Sequence, residues 1–216
     1  MMKKLATLGA IALAPLAAVS TAQADPASAD RLTQLLEPLE SYSADFEQQI
    51  LDASGSSLQD TSGHMWLSRP GHFRWAVNEP YRQLVISDGR EVTLYDPDLE
   101  QVTIQPLDER VTHTPALLLS GSASELSQNY EVSRQQQGAS ETFTLEPKAN
   151  DTLFEQLKLT FFSESLDTLQ MTDSTGQRTA IDFDNAETNV DIDPAQFQFE
   201  IPEGADVIRE QAPAAP

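Results

Sequence analysis

The sequence predicts a mainly β protein with few helices: an unclosed antiparallel β-barrel of about eleven strands. Apolar and polar residues alternate through most of the chain, which is the period of strands with one buried face. Turn sequences such as those at 87–89 and 96–98 leave only a few residues between neighbouring segments, as in antiparallel hairpins. Helical spacing is confined to short segments, too few to cover a large flat sheet. We therefore expect the sheet to curve around these helices, which fill its open side.

Each predicted strand has one apolar face. Val92 and Leu94 occupy alternate positions in one segment, and Phe143 and Leu145 do so in another. The predicted strands are 43–51, 58–68, 72–78, 83–87, 91–95, 101–107, 130–136, 141–147, 155–163, 166–172 and 177–185.

Three short segments predict helix. In residues 28–37, leucines recur at helical spacing after Ser28, a suitable N-cap residue, and Pro38 disturbs the end. The others lie near 114–128 and in one turn after Asp193.

The first 24 residues predict a cleaved signal peptide. Lys3 and Lys4 precede an apolar run that is too short to span a membrane, and Ala22-Gln23-Ala24 forms an A-x-A site. We expect export, with cleavage after Ala24 and a single domain over 25–210, followed by a flexible tail, 211–216. The chain has no cysteine, which excludes disulfides, thiolate chemistry and lipidation of a cysteine.

The chain is strongly acidic, with a formal net charge of −21. Nucleic acid and anionic lipid surfaces would repel it, so no nucleic-acid partner is expected. The acidity fits a solubility or salt adaptation spread over the surface. A docking face for a basic partner is the alternative, and the sequence leaves both open.

No residue pattern predicts catalysis, a cofactor or a metal. The three histidines, His64, His72 and His113, lack metal-binding spacings, and pairs of aspartates lack the rest of a calcium loop. Ser122 lacks a nucleophile elbow. We expect a protein that is not an enzyme. A hydrolase using paired carboxylates is a rival hypothesis, since the chain has 34 acidic residues.

Residues 69–75 read RPGHFRW and place two large aromatics side by side. In an extended chain Phe73 and Trp75 share one face, and His72 and Arg74 share the other. Arg69 carries five donors, and the free carbonyls at the end of a short helix would satisfy them. An ordinary ion pair at the surface is the alternative.

Residues 114–121 predict a short apolar turn. Thr114 can cap it, Pro115 suits its first position and Gly121 suits its exit. Such a stub is too short to be stable alone. It is either a plug of the core or a weakly held lid over an apolar concavity.

Eight motifs in order along the chain resemble those of the LolA family, periplasmic carriers that move lipoproteins from the inner to the outer membrane of Gram-negative bacteria. They are S-x-x-F at 43–46, G-x-x-W-x-x-R-P at 63–70, F-x-W at 73–75, V-x-S-D-G at 85–89, Y-x-P at 95–97, E-Q at 100–101, T-P-x-x-L-L at 114–119 and L-x-P-K at 145–148.

The resemblance implies an open barrel with helices forming a lid over an apolar cavity for acyl chains. It assigns Arg69 as a latch that bonds the carbonyls of the lid. The lid that it implies comprises Pro115, Leu117, Leu118 and Leu119. The cavity that it implies comprises Leu36, Phe46, Phe73, Trp75, Leu84 and Tyr95. A large apolar residue often follows the lid's proline in the family; here it is Ala116, so that contact should be weaker.

The resemblance further implies three partners for a monomeric periplasmic carrier. They are triacylated lipoproteins, an inner-membrane lipoprotein-releasing ABC transporter and an outer-membrane lipoprotein receptor. A related open-barrel module that binds free lipid or senses mislocalised lipoproteins is the alternative.

Overall fold

The structure is a computed structural model that describes residues 25–107, 115–149, 152 and 154–210. The predicted signal peptide, the capping role of Thr114 and the predicted flexible tail lie outside the described residues.

The described strands form one twelve-stranded sheet that does not close, which confirms the predicted fold class. Eleven strands match the predicted segments to within a few residues. The strands are β1 (Ser41–Leu51), β2 (Ser57–Ser68), β3 (His72–Glu79), β4 (Gln83–Asp88), β5 (Glu91–Asp96), β6 (Gln101–Pro106), β7 (Tyr130–Gln137), β8 (Ser140–Pro147), β9 (Phe154–Phe162), β10 (Ser165–Asp173), β11 (Arg178–Thr188) and β12 (Asp206–Arg209).

The strand order is β12-β6-β5-β4-β3-β2-β1-β11-β10-β9-β8-β7. Strands β1 to β6 form one series of antiparallel hairpins and β7 to β11 form another, and the pairing of β1 with β11 joins the two series at the centre of the sheet. β12 departs from the prediction because it pairs with β6 in parallel. Its four residues are too few to show an alternation, so only the tertiary structure reveals it.

Four short helical elements accompany the sheet. They are α1 (Pro26–Leu36), the 3₁₀ helix η1 (Pro115–Ser120), α2 (Ala123–Asn129) and the 3₁₀ helix η2 (Pro194–Phe197). The N-cap of α1 is Asp25 rather than Ser28: its side chain accepts a hydrogen bond from the amide of Ala27 at 2.9 Å. The segment predicted near 114–128 divides into η1 and α2.

The buried face of the sheet carries the core, and cross-strand register explains its composition. One row runs Ala44, Met65, Trp75, Val85 and Leu94 across five neighbouring strands. The first four of these residues are buried, and Leu94 packs partly buried against them. We call this the inner face of the sheet and the opposite side its outer face.

η1 contacts β2 and β3 on one half of the sheet and β10 on the other. These strands are separated by β1 and β11 in the strand order, so the sheet must curve around η1. α1 lies beside η1 on the inner side, where its Leu32 and Leu36 are fully buried. Among the described helices, none has both the length and the apolar character that crossing a membrane requires.

Candidate functional site: a covered aromatic surface

Three aromatic rings line the centre of the inner face. Phe46 of β1 stacks on Trp75 of β3, with ring centroids 3.5 Å apart and planes inclined by 17°. Phe73, two positions before Trp75, has its ring 6.3 Å away and inclined by 13°. All three are at most 2% exposed. They form a continuous apolar surface, which we call the aromatic floor.

Gly63 of β2 makes room for the floor. It pairs with Phe46 on one side and Val77 on the other. A Cβ atom at Gly63 would lie 1.9 Å from the carbonyl oxygen of Ala76 and 2.7 Å from Cζ of Phe46. Such contacts cannot be accommodated without moving backbone, so the close approach of Phe46 requires glycine here.

The aromatic floor is covered by two short elements. α1 contributes the fully buried side chains of Leu32 and Leu36. η1 contributes Leu117 and Leu119, which are also buried, while Leu118 is only half-buried. The covers and the floor belong to one cluster of buried apolar residues.

Arg69 joins the two covers to each other. Its Nε and Nη2 atoms both donate to the carbonyl oxygen of Leu119 at 3.0 Å, and its Nη1 donates to that of Leu36 at 2.5 Å. Next to it, the Gly71 amide donates to the carbonyl of Ser120 at 3.0 Å. These acceptors lie at the ends of α1 and η1, where carbonyls lack a partner within the helix.

The charge of Arg69 is satisfied by these carbonyls rather than by a carboxylate. Among the described residues it makes no ion pair. Burial lowers the pKa of the Arg69 guanidinium because it removes water from the charged form. The carbonyls offer good hydrogen bonds but no opposite charge, so displacing them would cost less than breaking a buried ion pair.

A second cation anchors α1 alone. Arg31 of α1 donates to Glu141 of β8 from Nη2 at 2.7 Å and from Nε at 3.2 Å, and its Nη2 also donates to Glu164 at 2.9 Å. Arg134 of β7 lies 2.9 Å from the same Glu141 carboxylate. The hydrogen bonds from Arg31 and the nearby charge of Arg134 lower the pKa of Glu141. The sequence carries no signal for this contact, because its partners are 110 positions apart.

The residues predicted from the sequence separate into two groups. Leu36, Phe46, Phe73 and Trp75 meet on the inner side of the sheet, and all four are buried. Pro115, Leu117, Leu118 and Leu119 lie in η1, above them.

Leu84 and Tyr95 lie elsewhere, which corrects their assignment to the cavity. Leu84 pairs with Ala76 and Tyr95. These side chains therefore share the outer face, because Ala76 alternates with Trp75. Strand β4 contains three consecutive apolar residues, so its sequence does not tell which face is buried. The ring of Tyr95 lies 5.3 Å from that of Phe199, in the C-terminal segment that crosses the outer face.

The outer face holds one arrangement that resembles a catalytic triad. The Ser43 hydroxyl lies 2.8 Å from Nε2 of His64, whose Nδ1 lies 2.7 Å from Asp45. The hydrogen bond from Asn185 and the contact with His64 lower the pKa of Asp45. Ser43 is 7% exposed and lies in a central strand. Backbone amides there point along the sheet and not at its face, so they cannot converge on an oxyanion beside Ser43. Within the described residues, no cluster suited to a metal ion occurs.

The fold and the site together define a class of protein. Its open β-sheet carries an apolar inner surface, which two short helical elements joined by one arginine cover. The chain belongs to the family described as "Outer membrane lipoprotein carrier protein LolA", whose model matches residues 37–200. This confirms the family that the motifs indicate.

Individual relatives support the assignment. An "Outer-membrane lipoprotein carrier protein" of Chromohalobacter salexigens is 66% identical over 197 residues, covering 91% of this chain and 94% of the relative. One of Azotobacter vinelandii with the same description is 51% identical over 193 residues, covering 89% and 93%. A solved structure of an uncharacterized conserved protein from Thermus thermophilus has a TM-score of 0.54 at 12% identity and covers 85% of this chain and 99% of its own. That structural likeness concerns the fold alone.

Proposed function

We propose that this protein is a monomeric periplasmic carrier of lipoproteins destined for the outer membrane. It accepts triacylated lipoproteins from an inner-membrane lipoprotein-releasing ABC transporter, shields their acyl chains on the aromatic floor and delivers them to an outer-membrane receptor. Family membership supports the carrier function. The observation that carries the mechanism is the bonding of one arginine, Arg69, to the carbonyls of both covers.

In this mechanism the covers compete with the cargo for the aromatic floor. Leu36, Leu117 and Leu119 occupy the apolar space in the covered form, and acyl chains take their place when the covers move. Opening breaks the hydrogen bonds of Arg69 and exposes leucines, so it has a cost that loading must offset. Closing recovers that free energy and expels the acyl chains during delivery.

Magnitudes show why a carrier needs this competition. Burying one CH₂ group is worth about 0.8 kcal/mol, so a chain of about 16 carbons would gain roughly 12 kcal/mol if it were fully buried. Cargo held with all of that free energy would dissociate too slowly to be delivered. Opening the covers consumes part of the gain and keeps the transfer reversible.

Release of lipoprotein from spheroplasts tests the carrier function. The protein purified from the periplasm would be added to energised Gram-negative spheroplasts, and the supernatant would be probed for triacylated lipoprotein in a stoichiometric complex. We expect a soluble complex that depends on the added protein. Retention of lipoprotein in the membrane, with matched inner-membrane machinery present, would refute the carrier function.

Two substitutions in this assay test the mechanism. Phe73→Glu should block loading, because a carboxylate would have to be desolvated beside acyl chains. Gln170→Glu is its matched control, since Gln170 is an exposed residue of β10. Arg69→Leu should fold and load lipoprotein but deliver it poorly, since the closed form is no longer favoured. Normal delivery by Arg69→Leu would exclude the latch, and unimpaired loading of Phe73→Glu would exclude the floor as the acyl-chain surface.

A further inference from the structure

The two edges of the sheet differ in how they are protected. At the β7 edge, the carbonyl of Val132 accepts a hydrogen bond from the backbone N–H of Asp25, at the start of α1. At the other edge lies β12, which has a single neighbour, β6, among the described strands. All four residues of β12 are exposed. A strand with an unpaired side is a template for another strand.

The register of β12 shows which of its backbone groups face β6 and which face away from it. The amide of Asp206 donates to the carbonyl of Glu100 at 2.8 Å, and the amide of Glu210 donates to that of Ile104 at 2.9 Å. Along a strand, alternate residues direct their N–H and C=O groups to the same side. Asp206, Ile208 and Glu210 therefore face β6, and Val207 and Arg209 direct their backbone groups away from the sheet.

Exposed apolar side chains are concentrated at this edge. Seven large apolar residues of the described chain are exposed, and four of them lie on β12 or in the two segments beside it. They are Leu99 at 69%, Ile201 at 43%, Val207 at 38% and Ile208 at 41%. A β-strand presents such side chains on both faces, so an added strand could contact them on either side of the edge.

The same edge is strongly acidic. Segments 96–101 and 200–210 contain one arginine, Arg209, and no lysine. Their carboxylates are Asp96, Asp98, Glu100, Glu200, Glu203, Asp206 and Glu210. A segment bound here gains if it carries basic side chains, and another acidic segment is repelled. That repulsion also disfavours a second copy of this acidic chain as the occupant.

We propose that the free edge of β12 is a docking site for a partner protein, which adds an extended segment with alternating apolar and basic residues. The segment bonds to the N–H and C=O groups of Val207 and Arg209. Its apolar side chains lie beside Val207 on one face of the sheet, and its basic side chains lie beside Asp206 and Glu210 on the other. This site lies at the sheet edge, separate from the aromatic floor, and it does not depend on the proposed carrier function. The edge strand is short, so docking is transient and weakens as salt is added.

Amide hydrogen exchange of the whole protein tests the site. The probe is a short acetylated peptide in which valine and lysine alternate, and the control peptide has glutamate in place of lysine. We expect the valine–lysine peptide to slow exchange at Val207 and Arg209, while Asp206, Ile208 and Glu210, already bonded to β6, change little. The proposal would be overturned if the peptide did not protect Val207 and Arg209, or if it slowed exchange equally at all five residues from Asp206 to Glu210. Equal binding of the glutamate peptide would also overturn it.

Two variants separate the backbone contacts from side-chain packing. Val207→Pro removes an outward N–H, which an edge strand tolerates, and it should weaken binding of the valine–lysine peptide at least about fivefold. Val207→Ala keeps the N–H and should bind more tightly than Val207→Pro. Protection of Asp206 and Glu210 must persist in both, which verifies that β12 remains paired. Equal binding by the two variants would exclude strand addition. Sedimentation of the free protein as a dimer that Val207→Pro dissociates would show instead that the occupant is a second copy.

Discussion

The two covers of the aromatic floor are held in different ways. α1 is attached by the ion pairs of Arg31 with Glu141 and Glu164, by the hydrogen bond from Asp25 to Val132 and by the hydrogen bond from Arg69 to Leu36. The polar contacts between η1 and the sheet are those of Arg69 with Leu119 and of Gly71 with Ser120, among the described residues. η1 is also a short 3₁₀ helix of six residues, with poorer internal hydrogen bonds than an α-helix.

This difference indicates which cover moves first. Local opening requires breaking the contacts of the opening element, so an element with fewer contacts opens at lower free energy. Opening η1 requires breaking the bonds of Arg69 to Leu119 and of Gly71 to Ser120, whereas opening α1 requires separating the ion pairs of Arg31 as well as breaking hydrogen bonds. We expect η1 to act as the lid and the N-terminal part of α1 to stay attached to the sheet.

The largest effect is expected from Arg69→Leu. This change removes the donors that hold Leu119 and should lower the opening free energy of η1 by about 2 kcal/mol, which is roughly a thirtyfold increase in amide exchange at Gly71. Global stability should change less, because a desolvated charge is removed at the same time. The amides around Arg31 should be nearly unaffected. Arg90→Leu, at an exposed arginine, is the control. If Arg69→Leu accelerated amide exchange equally in η1 and in the N-terminal part of α1, the two covers would not differ in how they are attached.

Glu141→Gln should have the opposite effect on the two covers: it should accelerate amide exchange in α1 and not at η1. It removes the charge that pairs with Arg31 and Arg134, and should lower the opening free energy of α1 by about 1 kcal/mol, or roughly fivefold in exchange. Exchange at Gly71 should stay unchanged. Glu131→Gln, at an exposed position of β7, is the matched control. Acceleration at Gly71 as large as that in α1 would show that the covers open together.

Acidification should remove part of the stability that the ionised Glu141 carboxylate contributes. The pKa of Glu141 is lowered in the folded protein, so its contribution is present above the ordinary glutamate pKa of about 4.3 and is lost as the pH falls through the folded value. The difference in unfolding free energy between wild type and Glu141→Gln should therefore shrink below about pH 4.3. Urea denaturation at a series of pH values measures it. A difference that stays constant down to the lowest pH would exclude the ion pair as its source.

The smallest effect is expected from Leu118→Ser. Leu118 is the half-buried leucine of η1, between two buried ones. Its replacement should destabilise η1 by only about 0.5 kcal/mol, or roughly twofold in exchange at Gly71. If Leu118→Ser lowered the opening free energy of η1 as much as Arg69→Leu does, apolar packing and not the arginine would hold the lid.

Strand positions and part of the site could be predicted because their signals are local. Phe73 and Trp75 share a face in any strand conformation, and the turn residues between strands favour hairpins. The placement of Leu84 and Tyr95 failed because three consecutive apolar residues in β4 fit either face. The Arg31–Glu141 pair and the Ser43–His64 contact join residues that no sequence spacing relates, so neither could be predicted.

The amino-acid order alone determines the alternation that makes this protein a one-sided sheet, and it places the turns that fold the sheet into hairpins. It also brings Arg69 within a few residues of Phe73 and Trp75. The tertiary structure decides the rest: which carbonyls Arg69 bonds, how firmly each cover is attached and where β12 ends the sheet. Those features arise between segments distant in the chain, whose meeting depends on the curvature and packing of the whole sheet.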